Sequence, residues 1–282
     1  TFFADGKVTL APTGENPKLR SAAAAPDGRL VVAGSRWIPS GLSTLFWQAH
    51  SDDSGGTLCS PASPGGGLFA SPQVRAFDAN GRLLVAGTAS FPGSGYDGMI
   101  LRFLYPACTL DSTFSGDGVA YFSLNLFEHF SDLALDSLGR IVAAGDILDA
   151  SSDQSLFGAR LLANGNPDTS FSGNGWVEID WGPGGEFGDA VVQADDRIVA
   201  GGTIDGGALG TMFVVVRIDA GGALDPTFAE DGEFAFDFPF GENDRLTDLV
   251  LDPVSGRVLA AGSGGAACGA LASSGQLCAI QA

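Results

Sequence analysis

The stretch Gly139-Arg140-Ile141-Val142-Ala143-Ala144-Gly145 is one of five near-copies that run through the chain. The other copies occupy residues 28–34, 81–87, 196–202 and 256–262. Their closing glycines are 53, 58, 57 and 60 residues apart. A repeat of this length in a strand-rich sequence indicates a repeat architecture, in which each module buries a core only by stacking on its neighbours.

Each module contains more than this stretch. A second element, Thr/Ser-Phe-x-x-Asp/Asn-Gly, begins at Thr1, Thr113, Ser170 and Thr227. In the third module four short apolar-rich segments follow, at residues 119–126, 131–135, 141–144 and 157–162. They are rich in β-branched and aromatic residues and are bounded by turn residues, so we expect strands. The sequence predicts an all-β fold, a five-bladed β-propeller with four antiparallel strands per repeat. We expect one domain, with modules at about 1–60, 61–111, 112–168, 169–225 and 226–282.

The glycines of the repeated stretch have predicted roles. The opening Gly is expected in a two-residue hairpin turn at positive φ. The small residue and Gly that close the stretch are expected to let neighbouring sheets approach closely. Because the chain starts and stops in phase with the repeat, we expect the N-terminal strand to pair beside the C-terminal strands and close a ring. A fragment of a longer array is the alternative.

The repeated elements resemble the delta-60 repeat of bacterial secreted and surface proteins. The opening of that repeat matches residues 110–114 and 224–228, and its strand-four arginine matches Arg102, Arg160 and Arg217. The resemblance covers nearly the whole chain, but the first two modules depart from it through a Ser/Pro/Gly-rich insertion at residues 51–73. It implies a propeller and an extracytoplasmic location, and it implies no activity.

The composition is strongly acidic, with 33 Asp and Glu against 14 Lys and Arg and a net charge of −19. Such a surface repels nucleic acid and anionic membranes, and it attracts cations or a basic partner. No apolar run is long enough for a membrane helix, so no membrane insertion is expected. We expect no cofactor and no metal centre. Calcium is the alternative, because hard cations bind clustered carboxylates, although no Asp-x-Asp-x-Asp-Gly loop occurs.

The four cysteines are an even number, which fits an oxidising compartment. Cys268 and Cys278 flank a turn between two expected strands, and Cys59 and Cys108 lie near equivalent module ends. The preferred pairing is Cys268–Cys278 with Cys59–Cys108. Two other pairings, and four free thiols in a cytosolic protein, are the alternatives. A zinc site is disfavoured because no Cys-x-x-Cys occurs.

The sequence contains no recognisable catalytic motif. His50 and His129 are the only histidines, and no Gly-x-Ser-x-Gly or His-Glu-x-x-His motif occurs. Carboxylates cluster at residues 178–189 and 230–244, and Asp180 and Asp237 share one repeat position. A carboxylate pair could hydrolyse a glycosidic bond. A shared repeat position favours a structural role instead.

Residues outside the repeat consensus are the candidates for ligand binding. Trp37 and Tyr96 fall in predicted loops on one rim, and Glu242 and Asp244 lie in an acidic loop of the fifth module. Exposed aromatic rings there would suit a sugar ring or a side chain of a partner protein. The sequence therefore favours a secreted or surface-displayed, non-catalytic binding or scaffold propeller. The alternatives are a carbohydrate-acting hydrolase that uses acidic loop residues and a structural subunit of an extracellular assembly.

Overall fold

The computed structural model describes residues 18–37, 43–50, 57–59, 68–90, 96–107, 109–124, 127–148, 154–180, 184–207, 210–237, 244–252, 254–263 and 277–281. Of these, residues 18–19, 35–37, 43–50, 57–59, 68–75 and 277–281 are described by their backbone alone. The described residues are dominated by short strands joined by turns, and no helix among them is long and apolar enough to cross a membrane.

The strands of the first two sheets are β1 (Lys18–Ala24), β2 (Leu30–Trp37), β3 (Ser43–His50), β4 (Thr57–Cys59), β5 (Leu68–Phe77), β6 (Leu83–Ser90), β7 (Tyr96–Leu104), β8 (Thr109–Leu110) and β9 (Val119–Phe122). Those that follow are β10 (Phe127–Leu135), β11 (Ile141–Leu148), β12 (Gln154–Leu161), β13 (Trp176–Asp180), β14 (Glu186–Val192), β15 (Ile198–Asp205), β16 (Thr211–Ile218), β17 (Glu233–Phe236), β18 (Arg245–Leu251), β19 (Val258–Ser263) and β20 (Leu277–Gln281).

The chain divides into two compact units, and each contains antiparallel sheets. The first unit, residues 1–133 and 163–166, holds the sheet β1-β2-β3-β4 and the sheet β5-β6-β7-β8, in which β9 also pairs with β7. The second unit, residues 134–162 and 167–282, begins within β10. Its described sheets have the orders β10-β11-β12-β13, β14-β15-β16-β17 and β18-β19-β20.

The repeated apolar stretch forms the second strand of each sheet, and in the described parts of β2, β6, β11 and β15 it is buried on both faces. In β19 one face is partly exposed, since Leu259 is 37% exposed. In β15, Ile198 and Ala200 pack with the apolar residues of β11 and β12, whereas Val199 packs with those of β18 and β19. Successive side chains of a strand point to opposite faces, so a strand between two sheets needs apolar residues at every position. This requirement explains why the stretch is continuously apolar rather than alternating.

The glycine that closes the repeated stretch allows close approach, as predicted. A Cβ atom added to Gly262 would lie 2.4 Å from the Phe213 ring of the neighbouring sheet. One added to Gly201, the small residue just before the closing glycine of the fourth copy, would lie 2.9 Å from Leu246. Both distances are shorter than carbon atoms tolerate, so a larger residue would push the sheets apart.

The hairpin turn before the stretch is longer than predicted. The opening glycine has positive φ, for example 73° at Gly139, which confirms that part of the prediction. The loop, however, has three residues, because Gly139 N–H donates to the carbonyl of Asp136 and Asp136 N–H donates to that of Arg140. The Asp136 carboxylate also accepts the N–H groups of Leu138 and Arg140. This side chain stabilises the longer loop, in which a turn is followed by a left-handed glycine.

The sequence repeat is offset from the sheet by one strand. The first apolar segment of the third module forms β9, which pairs with β7 of the sheet before it. In the second unit β13 and β17 likewise complete the sheets of β12 and β16. The third, fourth and fifth repeats therefore each supply an outer strand of the preceding sheet, and this links neighbouring repeats. Residues 1–17 lie outside the described part of the chain, so ring closure and the number of blades stay predictions.

Candidate functional site

The arginine near the end of the third strand of a sheet forms the centre of a buried polar network. Arg160 is 1% exposed and donates from Nε to Asp168 Oδ2 (2.8 Å) and from Nη2 to Ser170 Oγ (3.1 Å). Its Nη1 donates to the carbonyl of Ala220, one repeat further along the chain (2.7 Å). The guanidinium carbon lies 4.7 Å from the centre of the Phe171 ring. Arg160 thus connects the loop of its own repeat to the backbone of the following repeat.

Two further repeats carry the same network, which accounts for the Arg, Asp, Thr/Ser and Phe residues of the repeat pattern. Arg102 Nη1 donates to the carbonyl of Ala163 in the following repeat. The remaining partners are Asp111, Thr113 and Phe114 for Arg102, and Asp225, Thr227 and Phe228 for Arg217. Strand register places Ala49 and Gln281 at the corresponding positions of the first and last sheets. These two repeats therefore lack the arginine.

The carboxylates of the network are held ionised. Burial acts to raise the pKa of Asp168, but hydrogen bonds from Ser170 and the charge of Arg160 outweigh it, so the pKa lies below its ordinary value of 3.8. The pKa of Asp111 is lowered in the same way by Thr113, Arg102 and Arg82. Carboxylates so engaged by hydrogen bonds and cations are poor proton donors, so we assign them a structural role.

Other carboxylates of the second unit also bind backbone groups. Asp189 Oδ2 accepts the N–H of Leu249 in the neighbouring first strand (2.9 Å). Asp146 Oδ1 accepts the N–H of Phe187 (2.8 Å). Both contacts join one sheet to the next, and Asp189 belongs to the acidic cluster noted in the sequence. Its carboxylate therefore links sheets.

The predicted ligand residue Tyr96 lies at the start of β7 and is 46% exposed. Its ring packs against Phe127 at the start of β10, which is 45% exposed, with ring centres 5.7 Å apart and planes tilted by 38°. Below this pair, Phe122 and Phe130 pack edge to face in the core. A Cβ atom on Gly98 would lie 2.7 Å from the Phe130 ring, so glycine at this position lets β10 pack directly on β7. The exposed pair thus has a rigid base.

The strand β10 presents further polar groups beside the aromatic pair. Glu128, Phe130 and Asp132 are buried, whereas Phe127, His129 and Ser131 are exposed or half-buried. The exposed set therefore lines one face of the strand. Ser131 Oγ and His129 Nδ1 are 3.1 Å apart, within hydrogen-bond distance. We call Tyr96, Phe127, His129 and Ser131 the β10 face.

The other predicted ligand residues are not brought together with Tyr96 by any described contact. Trp37 ends β2, and its side chain lies outside the described residues, as does all of Glu242. Asp244 is only 1% exposed, and its N–H and carbonyl bond to the backbone and hydroxyl of Thr211. The roles of these three residues stay predictions.

The predicted disulfides also stay predictions. Cys108 and Cys268 lie outside the described residues. Cys59 and Cys278 lie in β4 and β20, where only the backbone is described.

Acidic side chains on two outer strands lie close together in the second unit. Partial burial raises the pKa of Glu233 on β17, and the charges of Asp231 and Asp180 add to this effect. Asp180 is the exposed last residue of β13, and Asp237 follows β17 directly. No group of three or more potential metal ligands occurs in the described ranges.

Phe127 is the functional candidate that sequence reasoning missed. It lies directly beside a charged residue that is fully buried, Glu128. Hydropathy predicts the opposite burial of these two residues, so the sequence pattern gives no signal for the exposed ring.

Comparisons with known proteins agree with this architecture. A domain of unknown function described as a β-propeller (DUF5122) matches residues 139–171 and 193–228. Each matched stretch runs from a hairpin turn to the Phe of the arginine network. A protein of unknown function from Dyadobacter fermentans is similar in structure, with 16% identity, a TM-score of 0.51 and coverage of 88% of this chain and 76% of that one.

A second similar structure is a polysaccharide lyase, an ulvan lyase bound to -[GlcA(1-4)Rha3S]-, with 12% identity and a TM-score of 0.54. The similarity covers 87% of this chain and 61% of the lyase. No curated protein matches the chain. The sheets, the family match and these structures together define the chain as a β-propeller protein.

Proposed function

We propose that this propeller is a secreted or cell-surface bacterial module that binds a partner or ligand and does no covalent chemistry. The observation that carries the proposal is that the repeated polar side chains and the exposed aromatic side chains have different roles. The polar residues of the repeat are committed to the arginine network, whereas the exposed pair Tyr96–Phe127 lies outside it. The even number of cysteines and the resemblance to repeats of secreted proteins support the location.

The aromatic pair has the properties of a binding surface. Large rings that remain exposed on a rigid support gain contact area on binding and lose little conformational freedom. Isolated exposed apolar residues are ordinary, but two adjacent rings of this size form a patch. The acidic surface adds a preference for neutral or basic ligands.

Substitution of the pair tests the proposal. The protein and its Tyr96→Ala and Phe127→Ala variants are screened against a glycan array and a library of basic peptides. We expect each substitution to weaken the ligand found by about tenfold and to leave the fold intact. Leu138→Ala is the matched control, because Leu138 is 70% exposed on a hairpin loop. If neither aromatic substitution changes the affinity for the ligand, the proposal that this surface binds it is wrong.

The acidic pair on the outer strands favours a second candidate function, hydrolysis of a carbohydrate. Glu233, whose pKa is raised, has the character of a proton donor, and Asp180 would supply a second carboxylate. A screen for polysaccharide hydrolysis with Glu233→Gln and Asp180→Asn tests it. Hydrolysis by the parent protein that either substitution abolishes, with unchanged melting temperature, would replace the binding proposal by this one.

A further inference from the structure

The β10 face combines two kinds of contact that a carbohydrate needs. Tyr96 and Phe127 offer an apolar surface, and His129 and Ser131 continue the same face with hydrogen-bonding groups. Alternate residues of a strand are about 7 Å apart, so a ring that stacks on Phe127 has its edge within reach of His129. A sugar ring has C–H groups on its faces and hydroxyl groups at its edge, which matches this order of contacts.

The polar groups of the face are held in position. Ser131 Oγ lies 3.1 Å from His129 Nδ1, and this contact restricts the imidazole ring. The backbone beneath is fixed by the packing of Phe130 over Gly98 and against Phe122. A preorganised site loses less free energy on binding than a flexible one.

The net charge selects among carbohydrates. At −19 the chain repels polymers that carry carboxylate or sulfate groups. No Lys or Arg belongs to the β10 face. From the contacts and the charge we infer that Tyr96, Phe127, His129 and Ser131 form a subsite for a neutral saccharide. The inference rests on the proposed binding function and names its ligand class.

The face is special to one repeat, which provides a control within the chain. Gln154 at the start of β12 corresponds to Tyr96 by strand register. Each is paired with the residue three positions after the glycine that closes the repeated stretch. The sequence places Gly184 and Glu186 where Phe127 and His129 stand. Gln154→Ala therefore changes the equivalent position of a repeat that has no aromatic pair.

The experiment measures binding of cellohexaose, maltohexaose and mannohexaose by saturation-transfer NMR and calorimetry, with polygalacturonate as the anionic comparison. We expect at least one neutral oligosaccharide to bind and polygalacturonate not to bind. Tyr96→Ala and Phe127→Ala should each weaken binding by about tenfold. Ser131→Ala and His129→Ala should weaken it about three- to tenfold, His129→Gln should restore part of the loss, and Gln154→Ala should change nothing.

The outcomes separate this inference from the proposed function. If aromatic substitutions weaken binding but the His129 and Ser131 variants do not, the surface stands and the saccharide subsite is wrong. If only basic peptides bind, and Tyr96→Ala weakens them, the same conclusion follows. Equal binding of polygalacturonate, or no binding of any neutral oligosaccharide, also overturns the inference. Binding that depends on Gln154 rather than Tyr96 would refute both proposals.

Discussion

The buried arginine network predicts a large loss of stability when Arg160 is replaced by Met. Met has a similar length and fills the space, but it cannot donate the three hydrogen bonds to Asp168, Ser170 and the Ala220 carbonyl. The guanidinium also leaves the face of Phe171. The variant therefore tests the polar network with little change in volume.

The expected cost follows from the burial of the ion pair. Removal of one partner of a buried pair costs about 3–5 kcal/mol, because the other charge is left uncompensated. Arg140 Nη1 remains 3.3 Å from Asp168 Oδ2, which compensates part of the charge. We therefore expect about 3 kcal/mol, the lower end of the range. Adding Asp168→Asn to Arg160→Met should recover part of the loss.

Urea unfolding followed by circular dichroism and tryptophan fluorescence measures the loss. The control is Arg217→Met, since the Arg217 side chain has the equivalent Asp, Thr and Phe partners but is 17% exposed, so its loss should cost clearly less. Leu138→Ala supplies the baseline for a surface residue. The reasoning is refuted if Arg160→Met unfolds at the same urea concentration as this baseline, or if Arg217→Met costs as much as Arg160→Met.

Two further predictions concern pH and backbone strain. The pKa values of Asp111 and Asp168 lie below 3.8 in the folded protein, so their stabilisation is complete above this value and is lost as pH falls through the folded-state pKa. The melting temperature should decrease as the pH is lowered below about 4, and the decrease should be smaller for Asp168→Asn. An equal decrease in the variant would contradict this prediction. Asp196 takes the position of the turn glycine at φ 63° and accepts hydrogen bonds from Ser137. Asp196→Ala should destabilise by about 1 kcal/mol more than Asp196→Gly in urea unfolding, because only Ala retains the strain; the reverse order would count against it.

The fold was predictable because the same physical requirements appear in the sequence five times. A strand buried on both faces needs a continuous apolar run, and a left-handed turn position needs glycine. Which four strands share a sheet could not be predicted, because a repeating sequence pattern does not specify which segment begins the structural unit. The three-residue loop depends on the Asp136 side chain, whose contacts a motif does not reveal.

The candidate site was predictable only in part. Tyr96 is a candidate from the sequence because it lies outside the repeat consensus, and its exposure agrees with a role at the surface. The sequence does not indicate Phe127 and His129, because their exposure results from how β10 packs on β7. Gly98 decides that packing, and its effect appears only when the two strands are placed together.

The arginine network also explains why family similarity reports the fold of this protein without its ligand. The matched stretches, residues 139–171 and 193–228, contain the turn, the buried strand, the arginine and its Asp, Ser/Thr and Phe partners. All of these residues act within or between sheets, so they report how the sheets are built and not what the protein binds. Ligand contacts must then come from positions that differ between repeats, such as Tyr96, which corresponds to Gln154 in the next repeat. For this class of protein, comparison of equivalent positions between repeats of one chain is therefore a better guide to function than the consensus.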